Sequence, residues 1–184
     1  MIMNLFNLNS DDITIEVADK DIEMKYPICF GKKYDKWLVS RCGKVWSMRY
    51  NKFITGRNIK NDKGEFKKSS KWKSERITFM LFLKEPDWWG DGSSSKHTSD
   101  GFWYRNITLH KMIIDTWSPL YDNPPKDIVW EEWEIVRKLP SVYNLISKTV
   151  CIDHIDDDPT NNHLDNLRRV TFWDNQYHRK AKGI

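Results

Sequence analysis

Three polar residues near the carboxyl end of the chain have side chains that could do chemistry together. Asp153 and His154 are adjacent in the sequence, and Asn175 follows further along. An aspartate carboxylate is a hard oxygen ligand for a divalent cation, and a histidine imidazole is a base that titrates near neutral pH. The amide oxygen of Asn175 could complete a metal site with Asp153. These residue types predict acid–base chemistry beside a bound divalent cation.

The local sequence predicts the elements that hold these three residues. A β-prone run at 149–152 ends at the Asp-His pair, and the stretch 156–167 (DDDPTNNHLDNL) is rich in turn formers. A second β-prone run occupies 168–171, and Thr171 stands three residues before Asp174, as at the start of a capped helix. With a helix expected over residues 172–182, the predicted arrangement is a ββα unit.

Strand and helix geometry restrict how these residues can meet. Neighbours in an ideal strand point to opposite faces, so Asp153 and His154 can act together only where the strand ends, and the following turn formers place them there. His178 and Arg179 follow Asn175 by three and four positions and share its helix face. Another face is expected to pack against the protein, and it consists of Trp173, Tyr177 and Ala181.

The order Asp153-His154, Asn166 and Asn175 resembles the HNH nuclease motif in its His-Asn-Asn variant. It is most similar to the HNH homing endonucleases of phages and their group I introns. The stretch 162–168 (NHLDNLR), followed by Val170-Thr171, is typical of that family. Two upstream segments also resemble it: residues 37–47 are similar to a short β module thought to contact DNA, and residues 107–114 to the strand-to-helix element that links the two.

The resemblance implies a role for each residue of the motif. Asp153 and Asn175 would hold one divalent ion, Mg²⁺ or Mn²⁺, on the scissile phosphate, where it neutralises developing charge. His154 would take a proton from the attacking water. Asn166 would pin the loop and orient His154 through a hydrogen bond. His178 is an accessory candidate for contact with a phosphate or for a water-bridged contact with the metal.

Two features of the sequence limit the resemblance. Taken alone, the Asp-His pair could be a loop aspartate that caps a turn beside an incidental histidine, although Asn166 and Asn175 in register argue against this. The sequence ends at residue 184, so the C-terminal helix-turn-helix with which many relatives recognise their targets is not expected. Residues 84–105 and 119–148 look like insertions relative to the family.

Positive charge is concentrated in one block of the chain. The net charge is +4, yet residues 31–76 hold fifteen Lys and Arg against four Asp and Glu, interleaved with aromatic residues. This pattern is typical of a surface that follows a phosphate backbone; a solvated lysine-rich sheet face is the alternative. The cations predicted to bind DNA are Lys36, Arg41, Lys44, Arg49, Lys52, Arg57, Lys67, Lys68, Lys71, Lys73, Arg168, Arg169, Arg179 and Lys180.

Composition excludes several other classes of protein. The chain has 184 residues, 39% hydrophobic and 30% charged, with a mean hydropathy of −0.71, and it holds no apolar run long enough for a membrane helix. The amino-terminal residues turn acidic at once and do not resemble a secretory signal. Three widely spaced cysteines argue against structural zinc and a disulfide framework, so the cytoplasm, of a bacterial host cell if the gene is phage-encoded, is expected.

The pattern of the whole chain predicts an α+β fold. Residues 1–106 are expected to form an antiparallel β-rich basic DNA-binding module with a mobile loop at 84–102, residues 107–148 a helical connector, and residues 149–184 the ββα-metal nuclease unit. Predicted strands include an edge strand at 13–17, a hairpin of 36–40 and 44–48 with Gly43 at positive φ, a hairpin around 61–64 and a strand at 77–83. Predicted core helices cover 109–117, behind Thr108 as N-cap, and 128–139, before Pro140.

The sequence therefore predicts a metal-dependent HNH-type DNA endonuclease that hydrolyses phosphodiester bonds. A site-specific homing-type nicking enzyme, acting as a monomer on double-stranded DNA with no membrane partner, is the preferred form. The first alternative is a non-catalytic nucleic-acid-binding protein that retains the HNH scaffold. The second is a structured-RNA binder that uses the basic block and its tryptophans.

Overall fold

The computed structural model of the protein describes residues 12–17, 20–58, 77–83, 96–97 and 103–181. Its architecture is mixed α/β, with antiparallel sheets, four α-helices and a 3-10 helix (Leu164–Asn166) in the described part. The strands in chain order are β1 (Asp12–Val17), β2 (Lys20–Lys25), β3 (Ile28–Cys29), β4 (Lys32–Lys33), β5 (Trp37–Ser40), β6 (Val45–Ser47), β7 (Lys52–Ile54), β8 (Arg57–Asn58), β9 (Ile77–Leu83), β10 (Lys96–His97), β11 (Trp103–Thr108), β12 (Cys151–His154) and β13 (Leu167–Val170). The helices are α1 (Leu109–Trp117), α2 (Trp130–Val136), α3 (Pro140–Thr149) and α4 (Phe172–Ala181).

The first sheet has five strands in the order β1-β2-β5-β6-β7. The predicted strand at 13–17 is confirmed as β1, and it lies at an edge as expected. The predicted hairpin is confirmed as β5 and β6, with Leu38 opposite Trp46. Gly43 in its turn has φ 85°, a conformation that glycine adopts without steric cost.

The second sheet has four strands in the order β10-β11-β9-β8. The strand predicted at 77–83 is confirmed as β9. Residues 96–97 lie in the segment predicted to be a loop throughout, but they pair as β10 with β11, so that prediction is wrong at these two positions. The hairpin predicted around 61–64 lies outside the described residues.

Helix α1 is the centre of the hydrophobic core. It spans the predicted range 109–117, and its buried face carries Leu109, Met112, Ile113 and Ile114. These side chains pack in one cluster with side chains of the strands, including Val39, Val45, Leu81, Ile107 and Leu167. All three predicted segments of the chain therefore contribute to the same core.

Helices α2 and α3 differ from the prediction. The helix expected over 128–139 covers only Trp130–Val136, and of its expected core residues Trp133 is fully buried whereas Trp130 is 45% exposed. Pro140 was expected to close this helix, but it begins α3 instead. Proline suits the first helical position because its missing N–H would have no partner there and its φ is already helical.

In the described residues no helix is long and apolar enough to cross a membrane. The longest, α3 and α4, have ten residues each.

Candidate active site

Strands β12 and β13 form the two-stranded ribbon that carries the Asp-His pair. They pair antiparallel, with Asp153 opposite Arg168 and His154 opposite Leu167. His154 is the last residue of β12, and turn residues follow it. The strand therefore ends at the histidine, as the turn formers predict, and both side chains are half-buried.

The carboxylate of Asp153 forms an ion pair with Arg168. Arg168 donates to Oδ2 of Asp153 from Nε at 2.9 Å and from Nη2 at 2.6 Å. The two residues are cross-strand partners, so the register alone brings them together. In the DNA-free protein the Arg168 guanidinium is therefore engaged with Asp153, and its contact with a DNA phosphate stays a prediction.

Asn162 is the hydrogen-bond partner of the His154 ring. Nε2 of His154 lies 3.3 Å from Oδ1 of Asn162. The Asn162 amide nitrogen donates to the carbonyl oxygens of Thr160 at 3.0 Å and Pro159 at 3.4 Å, so its oxygen must face the histidine. An amide oxygen only accepts, so Nε2 carries the proton. In the neutral ring, Nδ1 is then the nitrogen with a lone pair, and it is the atom able to act as a base.

Asn166 organises the loop between the two strands. Its amide nitrogen donates to Asp156 Oδ1 and to the Asn161 carbonyl, both at 2.8 Å, and its Oδ1 accepts from the Asp156 N–H at 3.1 Å. The hydrogen bond to His154 expected from Asn166 comes from Asn162 instead. Asn166 has a loop-pinning geometry, and Asn162 is the residue that sequence reasoning missed. Asn162 is the first residue of the stretch 162–168 that resembles the family, but its position gave no sign that its side chain contacts His154.

The acidic loop residues are committed to the loop itself. Hydrogen bonds from the Asn161 side chain, the Asp158 N–H and the Asn166 side chain hold the pKa of Asp156 below its ordinary value. The side chain and the N–H of Thr160 do the same for the pKa of Asp158. These carboxylates accept bonds that stabilise their charged form, so a more acidic pH is needed to protonate them than to protonate an ordinary aspartate.

Helix α4 brings Asn175 to the ribbon. Thr171 caps the helix as predicted: its hydroxyl accepts from the Asp174 N–H at 3.3 Å, and its carbonyl accepts from the Asn175 N–H at 3.1 Å. Asp127 in turn accepts from the Thr171 N–H at 3.0 Å. The helix packs against β12 and carries a half-buried Asn175 in its first turn. The side chains of His178, Arg179 and Lys180 lie outside what the structure describes.

The apolar face predicted for α4 is not covered. Trp173 is 79% exposed and Tyr177 is 72% exposed, and Ala181 is also exposed. The prediction that these three residues pack against the protein is therefore wrong. Helical spacing shows which residues share a face, but whether another element covers that face depends on the rest of the fold.

Arg169 is a core residue and not a phosphate ligand. It is 6% exposed, and its guanidinium donates to the carbonyls of Ser118 and Ile114 and to Asp115 Oδ1 at 3.0 Å. Burial lowers the pKa of the Arg169 guanidinium, and the neighbouring Asp115 opposes this shift. These contacts satisfy the carboxyl end of α1, so the predicted DNA contact of Arg169 is wrong.

Five predicted DNA-binding cations are exposed at two ends of the strands β5–β7: Lys36, Arg41, Lys44, Arg49 and Lys52. Arg41 and Lys44 lie in the β5–β6 turn, and the Arg41 carbonyl accepts from the Leu164 N–H at 2.8 Å, which joins this turn to the loop of the ribbon. The other three lie at the far end of these strands. The side chain of Arg57 and the residues Lys67, Lys68, Lys71 and Lys73 are outside the described part.

Asp153 and Asn175 are the residues that could hold a divalent cation. Both offer hard oxygen atoms, and Oδ2 of Asp153 already holds the Arg168 guanidinium, so the position attracts positive charge. In the described residues, no group of three or more His, Cys, Asp and Glu could hold a metal. Mg²⁺ commonly binds through one or two protein oxygens with substrate phosphate and water, and the donor set fits that mode.

The chain matches no known protein-family profile, and no curated protein matches it in sequence. One solved structure with a similar fold is described as "DNA binding and cleavage by the HNH homing endonuclease I-HmuI". The two chains are 15% identical with a TM-score of 0.43, and the match covers 81% of this chain and 54% of that one. The present chain thus spans about half the length of that structure.

Proposed function

We propose that this protein is a metal-dependent DNA endonuclease of the HNH type that hydrolyses phosphodiester bonds. The observation that carries the proposal is the contact of His154 Nε2 with Asn162 Oδ1 at 3.3 Å. Asn162 holds the proton on Nε2 and leaves Nδ1 as the basic nitrogen, one residue away from the carboxylate of Asp153. A histidine base and a hard cation ligand at consecutive positions where a strand ends are residue types that can serve hydrolysis of a phosphodiester.

The mechanism assigns each residue one task. Nδ1 of His154 takes a proton from a water molecule, whose oxygen forms a bond to phosphorus while the ester bond to the departing sugar oxygen breaks. Asp153 and Asn175 would hold the divalent ion, Mg²⁺ or Mn²⁺, and the ion would supply positive charge that stabilises the transition state of hydrolysis. Asn166 keeps the loop in the shape that places Asn162 against the histidine.

The DNA surface proposed here begins at the β5–β6 turn. This turn carries Arg41 and Lys44, both exposed, and its main chain is bonded to the loop of the nuclease unit. Gly43 lies so close to that loop that a Cβ added there would come 3.7 Å from the Asn162 Cβ. A DNA strand whose phosphates contact this turn would pass next to His154. Such phosphate contacts would position the DNA without reading its bases.

A site-specific enzyme that nicks one strand is the form we favour. The chain has one Asp-His-Asn-Asn set, and the two strands of a duplex run antiparallel. A monomer bound in one orientation therefore presents its single site to one strand. End-labelling each strand of a cleaved duplex separately tests this: cleavage of one strand supports nicking, and simultaneous cleavage of both, with a rate that rises as the square of enzyme concentration, contradicts it.

The activity itself is tested on supercoiled plasmids that carry a library of random inserts. Purified protein is incubated with Mg²⁺ or Mn²⁺, or with a chelator, and the open-circular product is measured. We expect nicking that needs the metal and that falls at least about 10²-fold in His154→Ala, the usual scale for a general base. The matched control is His163→Ala, since His163 is an exposed loop histidine. Plasmid binding without cleavage under every condition would instead support the non-catalytic alternative.

A further inference from the structure

A second histidine lies against the proposed base, and the proposed mechanism does not use it. His110 is the second residue of α1 and is only 7% exposed. Its ring meets the ring of His154 edge to face, with centroids 5.3 Å apart and planes at 84°. The two residues are far apart in sequence, so this contact exists only because α1 packs against the nuclease unit.

The His110 ring is itself held in place. Nε2 of His110 lies 3.1 Å from the Thr108 hydroxyl. Thr108 occupies the N-cap position of α1, with extended backbone, but its side chain makes no cap hydrogen bond. Sequence alone predicts a capping role for Thr108; the structure gives its hydroxyl to His110 instead. The Thr108 hydroxyl therefore orients the buried His110 ring and does not cap the helix.

The His154 ring needs such support because its other contact is long. The distance from Nε2 to Asn162 Oδ1 is 3.3 Å, longer than the roughly 2.9–3.0 Å typical of an N–H···O bond. A single long bond allows the ring to rotate about its Cβ–Cγ axis, and rotation would move Nδ1 away from the attacking water. A neighbouring ring in edge-to-face contact restricts that rotation.

We propose that His110 is a positioning residue that holds His154 in the orientation and tautomer needed for base catalysis. The inference rests on the proposed function, because it assigns His154 the role of base. His110 acts by ring contact and does not touch the substrate, and Thr108 fixes the plane of the His110 ring. Thr108, His110, His154 and Asn162 thus form one continuous chain of contacts from α1 to the loop.

Single-turnover cleavage of three variants tests the proposal. His110→Ala removes the ring, and its cleavage rate should fall about tenfold or more, as expected for a misplaced catalytic group, with DNA affinity unchanged. His110→Phe restores a ring of similar shape and should recover most of the rate. The control is Met112→Ala on the same helix: Met112 is fully buried but belongs to the core cluster, so this variant should lose stability and keep its rate.

A measurement independent of cleavage separates this inference from the proposed function. Long-range ¹⁵N–¹H correlation spectra at alkaline pH report which ring nitrogen of His154 carries the proton. We expect the Nε2–H form in the wild type and in His110→Phe, and an average of both tautomers in His110→Ala. If the wild type does not nick DNA, the proposed function fails while this spectrum still tests the positioning role. If His110→Ala cleaves at the wild-type rate and keeps the Nε2–H form of His154, the positioning role of His110 is overturned.

Discussion

Arg168 donates two hydrogen bonds to a single oxygen of Asp153, at 2.9 and 2.6 Å. Both side chains are about one-fifth exposed, and they face each other across the β12–β13 ribbon. In the protein without DNA, the Arg168 guanidinium is therefore bound to the Asp153 carboxylate, the group proposed to bind the metal. Binding of a divalent ion and pairing with Arg168 compete for the same negative charge.

This competition predicts stronger metal binding when Arg168 is neutral. Arg168→Gln should bind Mn²⁺ about threefold to tenfold more tightly than the wild type in the absence of DNA, since a partly exposed ion pair contributes of the order of 1 kcal/mol. Calorimetric titration of the DNA-free proteins measures this. Asp153→Asn is the control and should bind weakly, and equal affinities of wild type and Arg168→Gln would show that the pair does not restrain the site.

The next residue, Arg169, should contribute more to folding stability than Arg168 does. Arg169→Met should lower the free energy of unfolding by about 3 kcal/mol, because it removes a buried guanidinium from Asp115 and from the carbonyls at the end of α1. Arg168→Met, at a partly exposed pair, should cost about 1 kcal/mol or less. Urea denaturation compares the two. A milder effect at Arg169 than at Arg168 would contradict the packing described here.

Asn162 should matter to cleavage more than its neighbours in the loop. In Asn162→Ala the His154 ring loses the acceptor that keeps the proton on Nε2, so we expect single-turnover cleavage to fall about tenfold or more. Asn162→Asp keeps an oxygen acceptor and should retain more activity. His163→Ala serves as the control for general changes in the loop. Similar rates for Asn162→Ala and His163→Ala would remove Asn162 from the mechanism.

Two tryptophans provide a direct test of the packing. Trp133 is fully buried, and its Nε1 donates to the Tyr121 carbonyl at 3.0 Å. Trp133→Ala should therefore cost about 3–5 kcal/mol of stability. Trp173 is 79% exposed on α4, so Trp173→Ala should change stability by about 0.5 kcal/mol or less. Thermal melting of both variants decides the point, and a large loss in Trp173→Ala would mean that this face is covered.

The cysteines should differ sharply in reactivity. Burial raises the pKa of the Cys29 thiol from 9.0 to about 12, so Cys29 remains a protonated, unreactive thiol between pH 7 and pH 10. Cys42 is exposed in the β5–β6 turn. We expect a thiol reagent to label the exposed Cys42 in the folded protein and to reach the buried Cys29 only in denaturant. Cys42→Ser identifies the fast signal, and rapid labelling that persists in this variant at Cys29 would contradict its burial.

The sequence by itself was sufficient to predict the strands and helices whose signals lie in consecutive residues. The β5–β6 hairpin depends on two β-prone runs and Gly43, and helix α1 depends on the spacing of Leu109, Met112 and Ile113. The ribbon and α4 likewise follow from β-prone runs around a loop of turn formers, and from the hydroxyl of Thr171. Such signals are local, because strand and helix periods and caps are properties of a few consecutive residues.

Only the tertiary structure decided which side chains meet at the proposed site. Arg168 and Arg169 look equivalent in sequence, yet one faces Asp153 and the other enters the core, because successive residues of a strand point to opposite sides. The choice of Asn162 over Asn166 as the partner of His154 follows from the path of the loop backbone. The contact of His110 with His154 requires α1 to pack against the ribbon. Packing between elements distant in sequence sets these pairs, and no local period encodes it.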